Sequence, residues 1–354
     1  MKNYLVTGGA GFIGSNYIQY LLSTKTDVHV VNLDKLTYAG NLENLKPVEK
    51  DPRYTFIQGD IGDRALLDSI LEQIDIDYVI NFAAEAHVDR SILDPEIFIK
   101  TNVLGTSVLV DALRAKWTKA DGTYMVGKKY VQISSDEVYG SLGPEGDFSE
   151  ESRMAPRSPY SATKAAAEML LKAFWHTYRF PMVITRSANN YGPYQFPEKL
   201  IPLIIYNARH KKPLPVYGDG QNVRDWLYVG DHCRAIERVV EEGRLGQVYN
   251  IGGDNKYTNI EVVKRIVNYL HDHVDEKIDE SLITFVEDRK GHDRRYGIDA
   301  TKIYNELEWK AEVPFEEGLI HTIEWYLKNW EWLEGVTSGE YQSYFKKVYG
   351  SRLK

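Results

Sequence analysis

The amino-acid sequence predicts an α/β protein, a doubly wound parallel sheet joined to a smaller mixed α/β lobe. Three observations carry this. Short β-rich runs alternate with longer helical patterns through the first half of the chain, and most of those runs are apolar at every position. After about Asn189, Pro193, Pro197, Pro202, Pro213 and Pro215 break the alternation. Strands covered by helices on both faces read as continuous apolar runs. Repeated β-α-β alternation implies parallel pairing with right-handed crossovers.

In chain order, strands are expected at residues 4–7, 28–33, 54–58, 78–82, 130–134 and 182–185. Helices are expected between them at 13–22, 65–74, 97–113 and 162–178. Tyr249-Asn250-Ile251-Gly252-Gly253 reads as a further strand and turn, so the border between the two parts is soft. The acidic stretch 271–280 and the basic cluster Arg209-His210-Lys211-Lys212 read as solvated helix ends or loops. No internal repeat or low-complexity segment is evident.

Composition bounds the class. A chain of 354 residues can bury a large core, and 43% hydrophobic with 27% charged residues is an ordinary globular balance. The net charge of −8 argues against nucleic acid or anionic membranes as partners. The single cysteine, Cys233, can form neither an internal disulfide nor a cysteine-rich metal site, which fits a reducing cytoplasm. Met1-Lys2-Asn3 runs straight into Tyr4-Leu5-Val6, so no targeting signal is expected. No apolar stretch approaches the roughly 20 residues that span a bilayer.

Gly8-Gly9-Ala10-Gly11-Phe12-Ile13-Gly14 follows the first strand and opens the first helix. Glycines there permit a tight turn and let backbone N–H groups approach a pyrophosphate at the positive helix end. This is the signature of a Rossmann-type dinucleotide fold, with a structural glycine turn as the alternative. Asp34 closes the second strand 20 positions after Gly14. A carboxylate there accepts ribose hydroxyls and repels a 2′-phosphate, so NAD is favoured over NADP; Lys35 tempers that preference. Asp60-Ile61 either flanks the adenine or forms a plain strand-end turn. The expected division is therefore an NAD-binding domain over 1–188, with returning segments near 225–255, and a lobe over 189–354 that mostly binds substrate.

Tyr160 and Lys164 stand at i and i+4, on one face of a helix beginning after Ser158-Pro159. A phenol with a reference pKa near 10 is a poor base at neutral pH. A neighbouring ammonium and the positive nicotinamide of NAD⁺ would favour the phenolate. Alone, this spacing is usually a solvated helix face; with the glycine turn it points to alcohol oxidation. The fifth strand ends in Ser135-Asp136-Glu137, where parallel sheets place their chemistry. On a regular strand the two carboxylates would point oppositely, whereas a turn would aim both at one ligand. Otherwise Asp136 caps the next turn and Glu137 faces solvent.

Together these residues resemble the extended short-chain dehydrogenase/reductase family, and within it the nucleotide-sugar dehydratases that act on dTDP-glucose. The resemblance covers nearly the whole chain. It rests on residues 7–14, 34–41, 83–91, 135–140, 160–164, 189–202, 224–229 and 291–296. It implies a redox-neutral reaction. Tyr160 and Lys164, with Ser135, oxidise the sugar C4 hydroxyl using NAD⁺. Glu137 then takes the C5 proton, Asp136 protonates the departing C6 hydroxyl, and hydride returns to C6. One ionised carboxylate raises the other's pKa, so the pair titrates as a coupled unit.

The resemblance implies cofactor contacts at Gly8, Gly11, Phe12, Ile13, Gly14, Asp34, Lys35, Thr37, Asp60, Ile61, Phe82, Ala83, Ala84, Ala86, Thr101 and Asn190, besides Tyr160 and Lys164. It implies substrate contacts at Ala86, His87, Ser135, Asn189, Lys199, Leu200, Pro215, Tyr217, Arg224, Asn259, Arg289 and His292. Guanidinium donors suit a diphosphate, with structural salt bridging as the alternative for Arg224 and Arg289. His87 has no Cys or His partner at metal spacing, so no metal is expected. The family suggests a homodimer and a role in deoxysugar (dTDP-rhamnose) biosynthesis. Two positions depart from its pattern. Ser135 stands where threonine is usual, keeping the hydroxyl but losing a methyl. Lys290 stands where proline is common, which bears on loop rigidity. A sugar-nucleotide 4-epimerase would share Asp34, Tyr160 and Lys164 but would not need Asp136 and Glu137. A GDP-mannose dehydratase and a catalytically silent NAD-binding regulator are further rivals.

Overall fold

The computed structural model describes residues 1–337 and Val348; the last part of the lobe expected over 189–354 lies outside them. The strands are β1 (Lys2–Thr7), β2 (Val28–Asp34), β3 (Tyr54–Gln58), β4 (Tyr78–Asn81), β5 (Lys129–Ser135), β6 (Met182–Ser187), β7 (Asn189–Tyr191), β8 (Leu214–Tyr217), β9 (Val223–Tyr228), β10 (Val248–Ile251), β11 (Lys256–Thr258) and β12 (Ile283–Val286). One seven-stranded sheet has the order β10-β6-β5-β4-β1-β2-β3, and every pairing in it is parallel. The order reverses between β1 and β4, opening a crevice at their carboxyl ends, where such sheets bind ligands. Two apolar clusters, one on each face, account for the unbroken hydrophobic runs of these strands.

All six expected strands form, with ends shifted by a residue or two. The run at 249–253 contributes β10, which leaves the sheet at Ile251 and joins beside β6. Helix α1 (Phe12–Thr24) follows the glycine turn, and α2 (Arg64–Gln73) precedes β4. The expected helix over 97–113 forms, but part of it is π-helical rather than α-helical. Short helices α3 (Val88–Leu93) and α4 (Pro95–Phe98) lead into a π-helical stretch, Ile99–Gly105, before α5 (Thr106–Trp117). Asn102 in that stretch accepts from Glu85 N at 2.8 Å and donates to Glu85 O and Thr163 Oγ1. A Cβ on Gly105 would lie 2.9 Å from Ile61, so the widened turn also brings the chain close to the sheet edge. Such insertions in a helix frequently mark functional sites.

The second lobe packs around its own apolar cluster. It contains β7, β9 and β11 in one small sheet and β8 with β12 in another. Helices α6 (Pro159–Tyr178), α7 (Leu200–Arg209), α8 (Val229–Glu242) and α9 (Asn259–His273) complete the frame used below. The basic cluster at 209–212 is the exposed end of α7, and the acidic stretch is the end of α9 and the loop after it.

Glu168 on α6 and Arg186 on β6 form a fully buried ion pair, with Arg186 Nη2 2.6 Å from Glu168 Oε2. Arg186 Nε bonds both carboxylate oxygens, and Nη1 donates to Tyr139 Oη at 2.7 Å. Removing one partner of such a pair strands a charge in low dielectric, costing about 3–5 kcal/mol. Glu168→Leu should therefore lower the unfolding free energy, read from urea titration, by that amount. A loss under about 1 kcal/mol would show that the pair does not hold α6 to the sheet.

Candidate active site

β1 delivers the chain to Gly8, whose φ of +69° favours glycine. A Cβ there would lie 2.6 Å from Ala83 N, and one on Gly14 would lie 2.5 Å from Gly8 O. The turn is thus a bare backbone cradle with no room for side chains. α1 begins at Phe12 with Gly11 before it and no side-chain cap, which leaves its first N–H groups free for an anion. Asp34 accepts from Ala10 N through Oδ2 and from Leu36 N through Oδ1, both at 2.8 Å. Burial pushes its pKa up against those two bonds. Lys35 pairs with Asp60 at 2.8 Å, which offsets the attraction its charge would offer a 2′-phosphate.

A cavity of about 300 Å³ runs from this cradle to the ends of β5 and β6. Every residue expected around the cofactor lines it, from Gly8 through Thr37, Asp60, Phe82–Ala86 and Thr101 to Asn190. The backbone cradle and the Asp34 carboxylate therefore fit a dinucleotide. Tyr38, Gln195, Phe196 and Glu198 also line the cavity and were not singled out in the sequence. Buried Glu198 pairs with Arg90 at 3.1 Å, and Arg90 stacks 3.7 Å over the Tyr38 ring.

At the far end, Ser135 closes β5 and Asp136–Tyr139 form a single 3₁₀ turn. Ser135, not Asp136, is the cap: its Oγ accepts from Glu137 N at 3.2 Å and donates to Asp136 Oδ1 at 3.1 Å. The turn sends both carboxylates to the cavity, so Glu137 does not face bulk solvent. Their surroundings differ. Burial, and then the charge of Glu137, drive the Asp136 pKa well above the carboxylate range. Glu137 is also raised by burial, but Arg289, Lys199 and Arg224 pull it back. Asp136 therefore holds its proton more tightly than Glu137 does. Asp136 Oδ2 is buried without a partner among the described residues.

α6 is started by a capping box between Ser158 and Ser161 with Pro159 as its first residue, which fixes Tyr160 and Lys164 in its first two turns. Lys164 Nζ donates to Ile133 O at 2.6 Å, and burial lowers its pKa to about 8. Burial and then Glu137 raise the Tyr160 phenol far above its ordinary range, against a hydrogen bond with Ser135. The ammonium thus holds the Ile133 carbonyl, and the protein alone does not bring the phenol into working range.

Of the residues expected at the substrate, Ala86, Ser135, Asn189 and Lys199 line the cavity, and Lys199 Nζ donates to Ala86 O. Arg224 and Arg289 lie near enough for their charges to act on Glu137. Arg224 donates to Val223 O and Asp293 O and lies 4.4 Å from the Tyr296 ring centroid. Its hydrogen bonds go to carbonyls, so structural salt bridging does not account for it. Arg289 stands 3.8 Å from Asp89, with its Nε buried and unpartnered among the described residues. Burial and then Lys199 keep His87 neutral; burial and then Arg289 lower His292 to about 4. His292 contacts Asp288 and the edge of Tyr217. Leu200 opens α7, Pro215 pairs with Thr284, and Asn259 opens α9; none of these, nor Tyr217, lines the cavity. Lys290 is exposed, and the loop around it is shaped by Gly291, where a Cβ would lie 2.8 Å from Arg157 O. No cluster of His, Cys, Asp and Glu among the described residues could hold a metal ion.

A dinucleotide cradle leading to a Tyr–Lys pair and two unlike carboxylates defines an NAD-dependent enzyme of the Rossmann type. The family profile described as GDP-mannose 4,6 dehydratase matches residues 5–322. A dTDP-glucose 4,6-dehydratase of Xanthomonas campestris pv. campestris (strain B100) is 51% identical over 97% of this chain and 98% of its own. The dTDP-glucose 4,6-dehydratase of Bacillus anthracis str. Ames, solved with NAD, superposes with a TM-score of 0.85 at 46% identity, covering 95% of this chain and 100% of that one. Its counterpart from Streptomyces venezuelae, also with NAD, gives 0.87 at 44% identity, covering 94% and 99%. The chain belongs to the dTDP-glucose 4,6-dehydratase family.

A cation placed beside Tyr160 favours the phenolate and so lowers its pKa. In a difference titration at about 295 nm against Tyr160→Phe, Tyr160 should stay protonated to beyond pH 10 in the free protein. Saturating NAD⁺ should move its ionisation down by one unit or more. An unchanged titration would mean that the cofactor's charge does not reach the phenol.

Proposed function

We propose that this chain converts dTDP-glucose to dTDP-4-keto-6-deoxyglucose and water, and that the contrast between buried Asp136 and Glu137 carries the reading. Bound NAD supplies the hydride acceptor for oxidation at C4 and the hydride donor for the return to C6. Gly8, Gly11 and Gly14 with Phe12 and Ile13 seat the pyrophosphate, and Asp34 with Lys35 and Thr37 holds the ribose. Asp60, Ile61, the Phe82–Ala86 segment, Thr101 and Asn190 complete that half. Tyr160 takes the C4 hydroxyl proton, while Ser135 hydrogen-bonds the C4 oxygen and Lys164 fixes Tyr160's surroundings. Oxidation makes the C5 proton acidic; ionised Glu137 removes it and returns a proton to C5 as hydride reaches C6. Asp136, held protonated, donates to the departing C6 hydroxyl. Arg224 and Arg289 hold the diphosphate, with Lys199, Asn189, Asn259, His87 and His292 around the nucleotide sugar and Leu200, Pro215 and Tyr217 toward the base.

In this reading residues 1–188, with the return near 225–255, bind NAD, and residues 189–354 mostly bind the sugar nucleotide. A 4-epimerase breaks no C6–O bond and has no task for either carboxylate. The 4-keto-6-deoxy product is a precursor for deoxysugars such as dTDP-rhamnose, work that suits the cytoplasm and a chain with one cysteine. A homodimer is supported by exposed Leu93, Ile99, Leu104 and Met169, from 52% to 58% accessible, along α3, the π-helical stretch and α6. Apolar side chains grouped in this way on a surface mark contacts between chains.

Incubation with dTDP-glucose should yield the alkali-sensitive absorbance of a 4-keto-6-deoxy sugar; accumulation of dTDP-galactose would favour the epimerase. Glu137→Gln should retain NAD and substrate while kcat falls by about 10²–10⁴-fold, the usual range for general acid–base catalysis. Full activity in that variant would sink the assignment. Light scattering should give twice the chain mass, and Leu104→Glu with Met169→Glu should halve it. A monomeric wild type would remove the dimer from the proposal.

A further inference from the structure

The side chain of Asn190 sits at the catalytic end of the cavity, next to Ser187, whose partner across β5 and β6 is Ser135. Its nitrogen donates to Ala188 O at 3.0 Å and lies 3.4 Å from Ser187 Oγ. A carbonyl oxygen only accepts, so the amide nitrogen must be on that side. Asn190 Oδ1 therefore faces His232 on α8, and the His232 Nδ1 2.8 Å away must carry the ring proton. That tautomer leaves Nε2 as a bare acceptor, buried without a partner among the described residues. His232 has no solvent exposure, and burial holds the ring neutral, with its pKa lowered to about 3.

A buried polar atom left unsatisfied costs about 1–3 kcal/mol, so an apolar side chain would serve packing better at this position. The hydrogen bond to Asn190 is what the imidazole provides in return. From the other side, Gln195 Nε2 donates to Asn190 O at 2.9 Å, and Tyr326 Oη donates to Gln195 O at 2.7 Å. Backbone and side chain of Asn190 are thus fixed by separate elements.

We infer that His232 is a positioning residue: by holding Asn190 Oδ1, it keeps the amide oriented so that the N–H now spent on a long 3.4 Å bond to Ser187 Oγ is available to an acceptor oxygen on the nicotinamide nucleotide half of the cofactor. This rests on the NAD reading given above. Oriented donors contribute most where water is excluded and no reorganisation is needed on binding. Ala188 O anchors the nitrogen end of the amide and His232 anchors the oxygen end, so the group is held at both.

The test is calorimetric NAD binding by the full chain, as wild type, His232→Leu and His232→Asn, each also with Asn190→Ala. Asparagine carries a nitrogen on Cγ, where histidine has Nδ1, so it can restore the donor. His232→Leu should weaken NAD about tenfold, and His232→Asn should recover most of that. In the Asn190→Ala background, His232→Leu should add no further loss. Unchanged affinity in a folded His232→Leu protein, or an equal loss without Asn190, would overturn the inference. If the leucine variant does not fold, the ¹⁵N spectrum of wild-type His232 decides: an Nδ1–H ring supports the assignment and an Nε2–H ring ends it. A wild type that binds no NAD would count against the cofactor reading, and the same spectrum would still judge the His232 geometry.

Discussion

Arg186 reaches Glu168 on α6 with two nitrogens and Tyr139 with a third, and Tyr139 donates in turn to Asn250 on β10 at 2.7 Å. The catalytic helix, the turn after β5, and strands β6 and β10 therefore meet around one guanidinium buried in the fold. Burial alone would disfavour that charge, and Glu168 beside it more than restores it. A planar fork with several donors admits few geometries, so the ion specifies how these elements sit more than it adds to stability. The placement of Tyr160 and Lys164 relative to Asp136 and Glu137 follows from it.

The chemistry then depends on unequal electrostatic surroundings for similar groups. Two adjacent carboxyls, both buried, differ because Arg289, Lys199 and Arg224 act on Glu137. The nearest influence on Asp136 after burial is Glu137 itself. The cations that suit a diphosphate thus also favour the ionised form of Glu137 over that of Asp136. Burial, and then the same negative charge, raise the Tyr160 phenol above its ordinary range. Binding of a cationic cofactor and activation of the phenol are consequently linked, and an empty site does not carry a strong base.

Much of this was legible in the chain because the signals are local. Gly8–Gly14, Asp34 and the Tyr160–Lys164 spacing each depend on residues a turn or a strand apart, where backbone geometry dictates the outcome. The helix expected over 97–113 forms, but its π-helical segment, where Asn102 binds Glu85 and Thr163, rests on partners that no periodicity reveals. The cap at the end of β5 was assigned to Asp136 as the alternative to catalysis, yet Ser135 takes it, since a hydroxyl can accept and donate at once. Gln195 and Glu198 lay inside a stretch, 189–202, that drew attention as a whole without marking which side chains turn inward. Pro215 and Asn259 were named by resemblance; they sit within β8 and at the start of α9, outside the cavity lining, where tertiary packing sets those elements.

The return of the chain at β10 bears on how the protein can be made. Strand β6 has β5 on one side and β10 on the other, and residue 248 is reached only after β7, α7, β8 and β9 of the second lobe have been traversed. A ribosome that has released the first 188 residues has therefore released a sheet with a raw edge at β6. Unpaired edges of this kind recruit other chains, and long-range parallel pairing is slow to form. The cofactor half is therefore not an independent module that could be cut out or grafted elsewhere. Its last strand arrives within the second lobe, so the two halves must be completed as one folding event.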